Sequence, residues 1–406
     1  MNYIHRHLER KFLRMNEFFK VILVTGARQV GKTTMLKHLC KEQDRTYVTL
    51  DNLGARELAK RDPVLFFQTY KPPMIIDEVQ YAPELFSQIK LMCDDSSDTG
   101  LFWLTGSQQY DMIKNVRETL AGRVGILDLY PLSKREKDDV RFDNELDFSL
   151  QCLQYRQAIA KKPDITQVFE HIWRGGMPQV QAADVEQRNE YYNSYISTYI
   201  MRDVAELGGL TGTLQFYKFL TACAALVSAQ VNYETLADIA EITQSTAKNW
   251  LRLLESMGIV YLLRPYAALE RLTKAPKLYF CDTGLAAYLS MWLTTETLSK
   301  GAASGHYFEN FVVMEMVKNY AYSPNKANMS YYRDANAKEI DIFVERGNFI
   351  HPLEIKKSAN PDRREVRKFS ILEKTTTSRG YGGVICMCEE VLPIDEKNCF
   401  IPCSLI

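Results

Sequence analysis

The sequence predicts an α/β protein of several domains, and three observations carry that prediction. The chain has 406 residues, too many for one ordinary core, and its 46% hydrophobic and 25% charged content is that of a folded globular protein. Short apolar runs alternate with helical segments through the first 130 residues, as in a mostly parallel sheet crossed by helices. The first of these runs, Val21-Ile22-Leu23-Val24, leads into Gly26-Ala27-Arg28-Gln29-Val30-Gly31-Lys32-Thr33-Thr34. That stretch has the GxxxxGKT spacing of a phosphate-binding loop set between a strand and a helix.

Taken in order, the first domain (residues 1–130) should hold strands at Val21–Thr25, Tyr47–Leu50, Met74–Glu78, Leu101–Thr105 and Gly125–Leu129. Helices are expected at Thr33–Cys40, Glu57–Arg61, Pro63–Tyr70 and Glu84–Asp94. In the loop, residues 26–34 aim backbone N–H groups at phosphate, Lys32 reaches the β/γ oxygens, and the Thr33 hydroxyl meets Mg²⁺. The helix that starts near Lys32 adds its positive end. Arg28 lies within the loop and reads as structural. ATP and Mg²⁺ are thus the expected ligands.

Asp77 and Glu78 end an apolar strand. Beside a phosphate loop they divide the work: Asp77 holds the Mg²⁺ shell with Thr33, and Glu78 polarises the attacking water. Lys32 offsets charge on the β/γ bridge. Ser107, with Gln108 as second choice, would sit between the acidic strand and the γ-phosphate. Arg123, in Ala121-Gly122-Arg123, would bring charge to a phosphate in cis or across a subunit boundary; a surface ion pair is the competing reading.

The second domain (131–215) reads as a helical lid or linker. Lys134–Arg141 is expected to be a solvated charged run, and Gly175-Gly176-Met177-Pro178 breaks the helices. Tyr191, Tyr192, Tyr195 and Tyr199 lie on a long helical pattern from Arg188 to Val204 and should pack helices together. Arg202-Asp203 could face the nucleotide or another subunit. In the third domain (216–270), a helix at Tyr233–Ala240, a turn at Thr243–Ser245, a helix to Met257 and a strand at Ile259–Leu263 follow the order of a winged helix-turn-helix. The second helix carries Lys248 and Arg252 against Glu255, so DNA contact and protein contact both stand.

The last domain (271–406) places Asp341 on one apolar strand and Glu354 and Lys356 two apart on the next, hence on one face. With Glu309 on an upstream helix, this is the PD-(D/E)xK constellation of a metal-dependent nuclease. Asp341 and Glu354 would hold a second Mg²⁺, Glu309 would complete its shell, and Lys356 would activate water. Residues 355–380 carry eight Lys or Arg and three acids, a helix-like flank including Arg363, Arg364, Arg367 and Lys368 that could meet a phosphate backbone.

Bulk properties exclude little. Fifty basic and fifty acidic residues give zero formal charge, so global charge does not argue for nucleic acid. The apolar runs are far too short to span a membrane. The N-terminal residues do not form a signal peptide. The nine scattered cysteines suit a reducing cytoplasm. Cys386, Cys388, Cys399 and Cys403 are close enough for a zinc cluster but read better as strand positions.

These motifs resemble one family, the bacterial and archaeal ATPases that join an N-terminal AAA domain (AAA_14) to a C-terminal DUF4143 domain. The marks are residues 26–34, Ile-Ile-Asp-Glu-Val-Gln (75–80), Leu-Thr-Gly-Ser-Gln (104–108), Ala-Gly-Arg-Val (121–124) and Tyr-Pro-Leu-Ser (130–133). Further along come Gly-Gly-Met-Pro (175–178), Tyr-Ile-Met-Arg-Asp (199–203), Gly-His-Tyr-Phe-Glu-Asn (305–310), Tyr-Tyr-Arg-Asp (331–334), Glu-Ile-Asp-Ile (339–342) and Leu-Glu-Ile-Lys-Lys-Ser (353–358). The chain departs from its relatives at Lys134, Ile340 and Ile355, none of them in the polar sites. The resemblance implies a P-loop AAA-type ATPase fold, ATP and Mg²⁺ use, a restriction-endonuclease-like C-terminal fold and, less directly, a DNA partner and a homo-oligomer. Three functions remain open: an ATPase controlling a DNA-facing module, a nucleotide-gated protein-interaction switch that cuts nothing, and an ATP-dependent nuclease.

Overall fold

The computed structural model describes residues 3–41, 43–106, 110–162, 164–201, 204, 212–266, 275–325, 327–334, 338–374 and 377–406. Contacts divide the chain into two compact units, Asn2–Pro131 with Ser256–Gly258, and Leu132–Glu255 with Ile259–Ile406.

The first unit is built on five parallel strands: β1 (Val21–Thr25), β2 (Thr46–Thr49), β3 (Met74–Asp77), β4 (Phe102–Thr105) and β5 (Val124–Asp128). Their spatial order is β2-β3-β4-β1-β5. Because all run the same way, their C-terminal ends share one edge, where an open α/β sheet binds its ligands. The register sets Val24 beside Thr105 and Thr49 beside Asp77. β1, β3 and β4 are buried at every position, as expected of strands covered on both faces. Leu23, Ile76 and Leu104 share one core with Leu85, Phe86 and Ile89.

Local chemistry explains the helix starts. Helix α1 (Leu8–Asn16) precedes the sheet and α2 (Lys32–Leu39) follows the loop. Helix α3 (Leu53–Arg61) starts earlier than its apolar pattern suggested, because the Asn52 side chain accepts the Ala55 N–H at 3.0 Å. Helix α4 (Pro63–Thr69) has Pro at its first position and Asp62 accepting the Leu65 N–H. α5 (Leu85–Asp95) and α6 (Tyr110–Thr119) flank β4 in sequence.

In the second unit the charged run after Pro131-Leu132-Ser133 is not a solvated one. Lys134–Asp138 is a helix, α7, opened by a capping box between Ser133 and Glu136. Arg135 and Glu136 are buried. Glu136 accepts the Ser133 N–H at 2.8 Å within that box, and the 19-residue helix Ser304–Tyr322 meets the start of the run. Glu315 accepts the Lys134 N–H at 2.9 Å, and Lys318 donates to Leu132 O and Glu315.

Three helices follow, α8 (Leu150–Ile159), α9 (Ile165–Arg174) and α10 (Val185–Tyr195), the last running into a π-turn at Ile196–Ile200. The Gly175–Pro178 break is anchored on Asp282, which is 3% exposed. Its carboxylate accepts the Gly176 N–H and the Tyr192 hydroxyl, both at 2.7 Å. Arg202 and Asp203 lie outside the described residues.

Helices Thr213–Ala225, Tyr233–Ala240 and Gln244–Ser256 precede an antiparallel pair, β6 (Val260–Leu263) and β7 (Lys277–Phe280). The rest is a mixed seven-stranded sheet. Its path is β13 (Leu392–Pro393), β14 (Asn398–Pro402), β12 (Gly382–Cys386), β10 (Phe349–Ile355), β9 (Glu339–Arg346) and β8 (Asn328–Arg333), with β11 (Ser378–Arg379) paired to β10. Its core joins Ile340, Phe343, Ile350 and Val384 to Phe369 and Leu372. The latter two come from Arg363–Lys374, which is a 3₁₀ segment.

Asp282→Ala should destabilise the protein by about 1–3 kcal/mol, since it strands the buried Gly176 N–H and leaves the Tyr192 hydroxyl only the Arg174 carbonyl. Chemical denaturation followed by circular dichroism measures this; a loss under about 0.5 kcal/mol would remove Asp282 as the anchor of the glycine break.

Candidate nucleotide site and a second carboxylate cluster

The phosphate loop is shaped by glycine and held by an arginine. Gly26 has φ 147°, and a Cβ there would lie 2.2 Å from Leu129 O, so no side chain fits. Val30 is fully buried and pins the loop to the core, and α2 starts at Lys32, so the loop runs into a helix N-terminus, the end that favours an anion. Arg6, 4% exposed, donates to Val30 O at 2.8 Å and to Tyr130 O at 2.6 Å. It thereby ties the loop to the segment after β5. Nothing in its charged N-terminal surroundings set Arg6 apart in sequence.

Lys32 is 5% exposed and donates to Gly26 O at 3.0 Å and Ala27 O at 2.9 Å, so its ammonium lies within the loop. Arg28 meets the Tyr81 hydroxyl at 3.4 Å, a contact inside the unit that suits a structural role. Gln29 is exposed with φ 61°, and Thr34 lies one residue past Thr33 in the first turn of α2.

Asp77 is the hub. Its Oδ1 accepts the Thr33 hydroxyl at 2.7 Å and the Thr105 hydroxyl, and its Oδ2 accepts the Tyr47 hydroxyl at 3.0 Å. Burial, and then the charge of Asp77, push the Tyr47 phenol above its usual range, so it stays a donor. Thr33 and Asp77 are brought together as the spacing required. They are hard oxygen donors in direct contact, and they fit a Mg²⁺ ion. Thr105 and Tyr47 were missed; the only signal was a hydroxyl closing or interrupting an apolar strand.

Glu78 follows with φ 58°, a left-handed turn that ends β3. Its N–H donates to Thr105 Oγ1 at 3.1 Å, and its carboxylate accepts the Gln80 amide. Ser107 and Gln108 lie outside the described residues.

Arg123 is not brought to this edge. It precedes β5, its carbonyl accepts the Val21 N–H, and its guanidinium pairs with Asp94 at 2.6 Å. It stands at the N-terminal edge of the sheet, a strand's length from the loop. The cis role therefore falls, because parallel register puts the start of β5 beside the start of β1.

In the second unit Glu309 and Asp341 meet around an internal cation, and Glu354 with Lys356 pairs separately. Lys277, 3% exposed, lies 2.9 Å from Glu309, 2.6 Å from Glu339 and 3.6 Å from Asp341. Tyr279 also donates to Glu309 at 2.8 Å, and Asp341 accepts the Ile355 N–H at 2.9 Å. Glu354 is fully buried and is met by Lys356 at 3.1 Å and Lys368 at 2.6 Å. Burial, then the charge of Asp341, raise Glu309 to about 7 and Glu354 to about 8. Among the described residues no group of three or more His, Cys, Asp or Glu is arranged to hold a metal ion.

The basic flank expected at 355–380 is partly spent as well. Lys368 turns in to Glu354, Arg364 pairs with Asp362, and Arg363 donates to Pro393 O at 3.0 Å. A different polar face is exposed: Ser245, Lys248, Asn249 and Arg252 line one side of the helix Gln244–Ser256. Glu255, weighed against these cations in the sequence, is taken by Arg264 at 2.9 Å through both oxygens.

Residues 18–137 match the family described as AAA domain (AAA_14), and residues 304–406 match a domain of unknown function, DUF4143. The layout is the one the motifs indicated, and it supports ATP binding and hydrolysis. Between them, residues 165–296 match a further domain of unknown function, DUF8612. The uncharacterised protein Rv2008c of Mycobacterium tuberculosis is 27% identical over 346 residues, covering 84% of this chain and 71% of that protein. The uncharacterised protein MJ1637 of Methanocaldococcus jannaschii is 22% identical over 361 residues, covering 78% and 73%. Solved structures with similarity include the Walker-type ATPase Paby2304 of Pyrococcus abyssi (15% identity, 71% of this chain, 96% of that chain, TM-score 0.44). Another is the Holliday junction branch migration motor RuvB of Thermotoga maritima (16% identity, 68% and 92%, TM-score 0.32). No described helix is long and apolar enough to cross a membrane.

Lys277→Met should cost about 3–5 kcal/mol, because it leaves three carboxylates without their buried cation. Urea denaturation at neutral pH measures it. A neutral result would mean that the carboxylates hold together without the ammonium.

Proposed function

We propose that this chain is a Mg²⁺-dependent ATP hydrolase whose nucleotide state governs a DNA-contacting module that does not cut. The hydrogen bond between Thr33 and Asp77 carries the first half of this reading. It joins the loop helix to the acidic strand at the edge where phosphates would lie. Mg²⁺ held by Thr33 and Asp77 would supply charge neutralisation at the β/γ oxygens. Tyr47 and Thr105 keep the Asp77 carboxylate oriented. Lys32 exchanges its loop carbonyls for phosphate oxygens, and the N–H groups of residues 26–34 cradle the phosphates. Glu78 takes a proton from the attacking water. Arg123, remote from its own loop, serves only if a neighbouring copy brings it to that copy's nucleotide. A homo-oligomer is part of the reading for that reason.

The order of three helices and an antiparallel pair, with Ser245, Lys248, Asn249 and Arg252 exposed on the last helix, supports a winged helix facing duplex DNA. The C-terminal sheet with Asp341, Glu354 and Lys356 is proposed as a PD-(D/E)xK-like fold. Lys277, in salt-bridge contact with Glu309 and Asp341, favours a non-cutting domain over a second Mg²⁺ centre. If that domain serves protein contact alone, the chain is a nucleotide-gated interaction switch.

Glu78→Gln should retain ATP affinity and lower kcat by about 10²–10⁴-fold, and Lys32→Ala should lose ATP binding. Steady-state turnover and calorimetric titration check both; full turnover in Glu78→Gln would end the assignment of the base. Wild-type protein should bind duplex DNA without cutting it, and Lys248→Glu with Arg252→Glu should weaken binding at least tenfold. DNA affinity unchanged in that double variant, by fluorescence anisotropy, would move the weight to the interaction switch.

A further inference from the structure

Gln80 belongs to no part of the mechanism above, yet its side chain is placed as though for one. It lies in the 3₁₀ turn Val79–Tyr81 that follows the left-handed Glu78. Its amide donates to a Glu78 carboxylate oxygen. An ionised carboxylate only accepts, so the amide's orientation is settled by chemistry: Nε2 faces Glu78 and Oε1 faces away. That Oε1 is buried and has no hydrogen-bond partner. A buried acceptor left unpaired costs about 1–3 kcal/mol. Apolar side chains of similar size would avoid the cost.

The position of the orphan oxygen is informative. A Cβ on Gly106 would come within 2.9 Å of it. Gly106 directly follows β4, and its N–H donates to Val24 O at the end of β1. Gln80 Oε1 therefore sits at the C-terminal edge of the sheet, where β1 gives way to the phosphate loop. The second oxygen of Glu78 also has no hydrogen bond among those found for the described residues.

We propose that Gln80 Oε1 and the second oxygen of Glu78 together seat the attacking water, each accepting one of its two protons. Gln80 thus has two roles on one amide: Nε2 holds the base and Oε1 holds the nucleophile. This rests on the ATP hydrolase reading above and completes it. In the step, the water oxygen bonds to the γ-phosphorus as the bond to the β–γ bridging oxygen breaks. One water proton passes to Glu78, the other stays on the new phosphate, and ADP leaves with the bridging oxygen. The seat fixes the lone pair that attacks, which is worth more than its two hydrogen bonds because orientation is prepaid.

The test is the Gln80→Met substitution, close in size but without donor or acceptor, in wild-type and Glu78→Gln backgrounds. In the wild-type background kcat should fall about 100-fold, with ATP affinity and melting temperature near those of the parent. In the Glu78→Gln background it should add less than about twofold, because the two residues act on one water. Wild-type protein without ATP turnover would overturn the hydrolase reading and this one with it. Wild-type turnover with kcat of Gln80→Met within about threefold, or losses that multiply in the double variant, would overturn the water seat alone. Should Gln80→Met fail to fold, the wild-type structure with ADP and aluminium fluoride decides. Water within ~3 Å of both Gln80 Oε1 and Glu78 upholds the seat. An Oε1 filled by a protein donor, or left dry, overturns it.

Discussion

The Asp77 carboxylate is the point on which the first unit turns. Three hydroxyls from three elements converge on its two oxygens: Thr33 from the loop helix, Thr105 from β4 and Tyr47 from β2. Tyr47 reaches it because β2 pairs directly with β3, and Thr105 because β4 pairs with β3 on the other side. A buried carboxylate must be satisfied or it neutralises. Its partners therefore lock the relative height of the strands as well as preparing an oxygen-rich edge. Arg6 does the complementary task on the other side of the loop, tying Val30 to the segment after β5.

The second unit solves a similar problem with ammonium groups. Lys277 faces three acids, Lys368 and Lys356 face Glu354, and Lys318 faces Glu315. Each of these charges is expensive to bury alone, and pairing makes burial tolerable without making it favourable. Such clusters specify which elements must meet. Glu309 comes from a helix, Glu339 and Asp341 from one strand, and Lys277 from another. The same ammonium lies against Glu309 and Asp341, two of the acids that the sequence offered to a second Mg²⁺.

How much of this was legible depended on whether the signal was local. The five parallel strands could be read because each is a short apolar run, and the loop because its chemistry is written in nine consecutive residues. The Thr33–Asp77 pair followed from a spacing rule. Gly26, Lys32 and Glu78 needed no long-range information. By contrast Arg6, Tyr47 and Thr105 are ordinary residues in ordinary surroundings, and they matter only through strand order. Arg123 shows the converse: its setting beside Gly122 invited a phosphate role, but parallel register carries it to the far edge. The charged run at 134–141 read as solvated because composition cannot show that Glu315 and Lys318, almost two hundred residues on, come to meet it.

The amino-acid sequence by itself determined the α/β architecture of the first unit, the phosphate-loop motif and the place of Asp77 and Glu78 at the end of an apolar strand, since all of these rest on periodicity and short spacing. It also placed Asp341 and Glu354 on neighbouring strands, though Lys356, expected on the second, lies one residue past its end. Only the tertiary structure decided what those side chains face. Lys277 is distant from them in sequence, and it becomes the central cation of the cluster because β7 lays it against the helix of Glu309 and the strand of Asp341. Coulombic energy depends on distances in space, and strand order sets those distances where sequence separation does not.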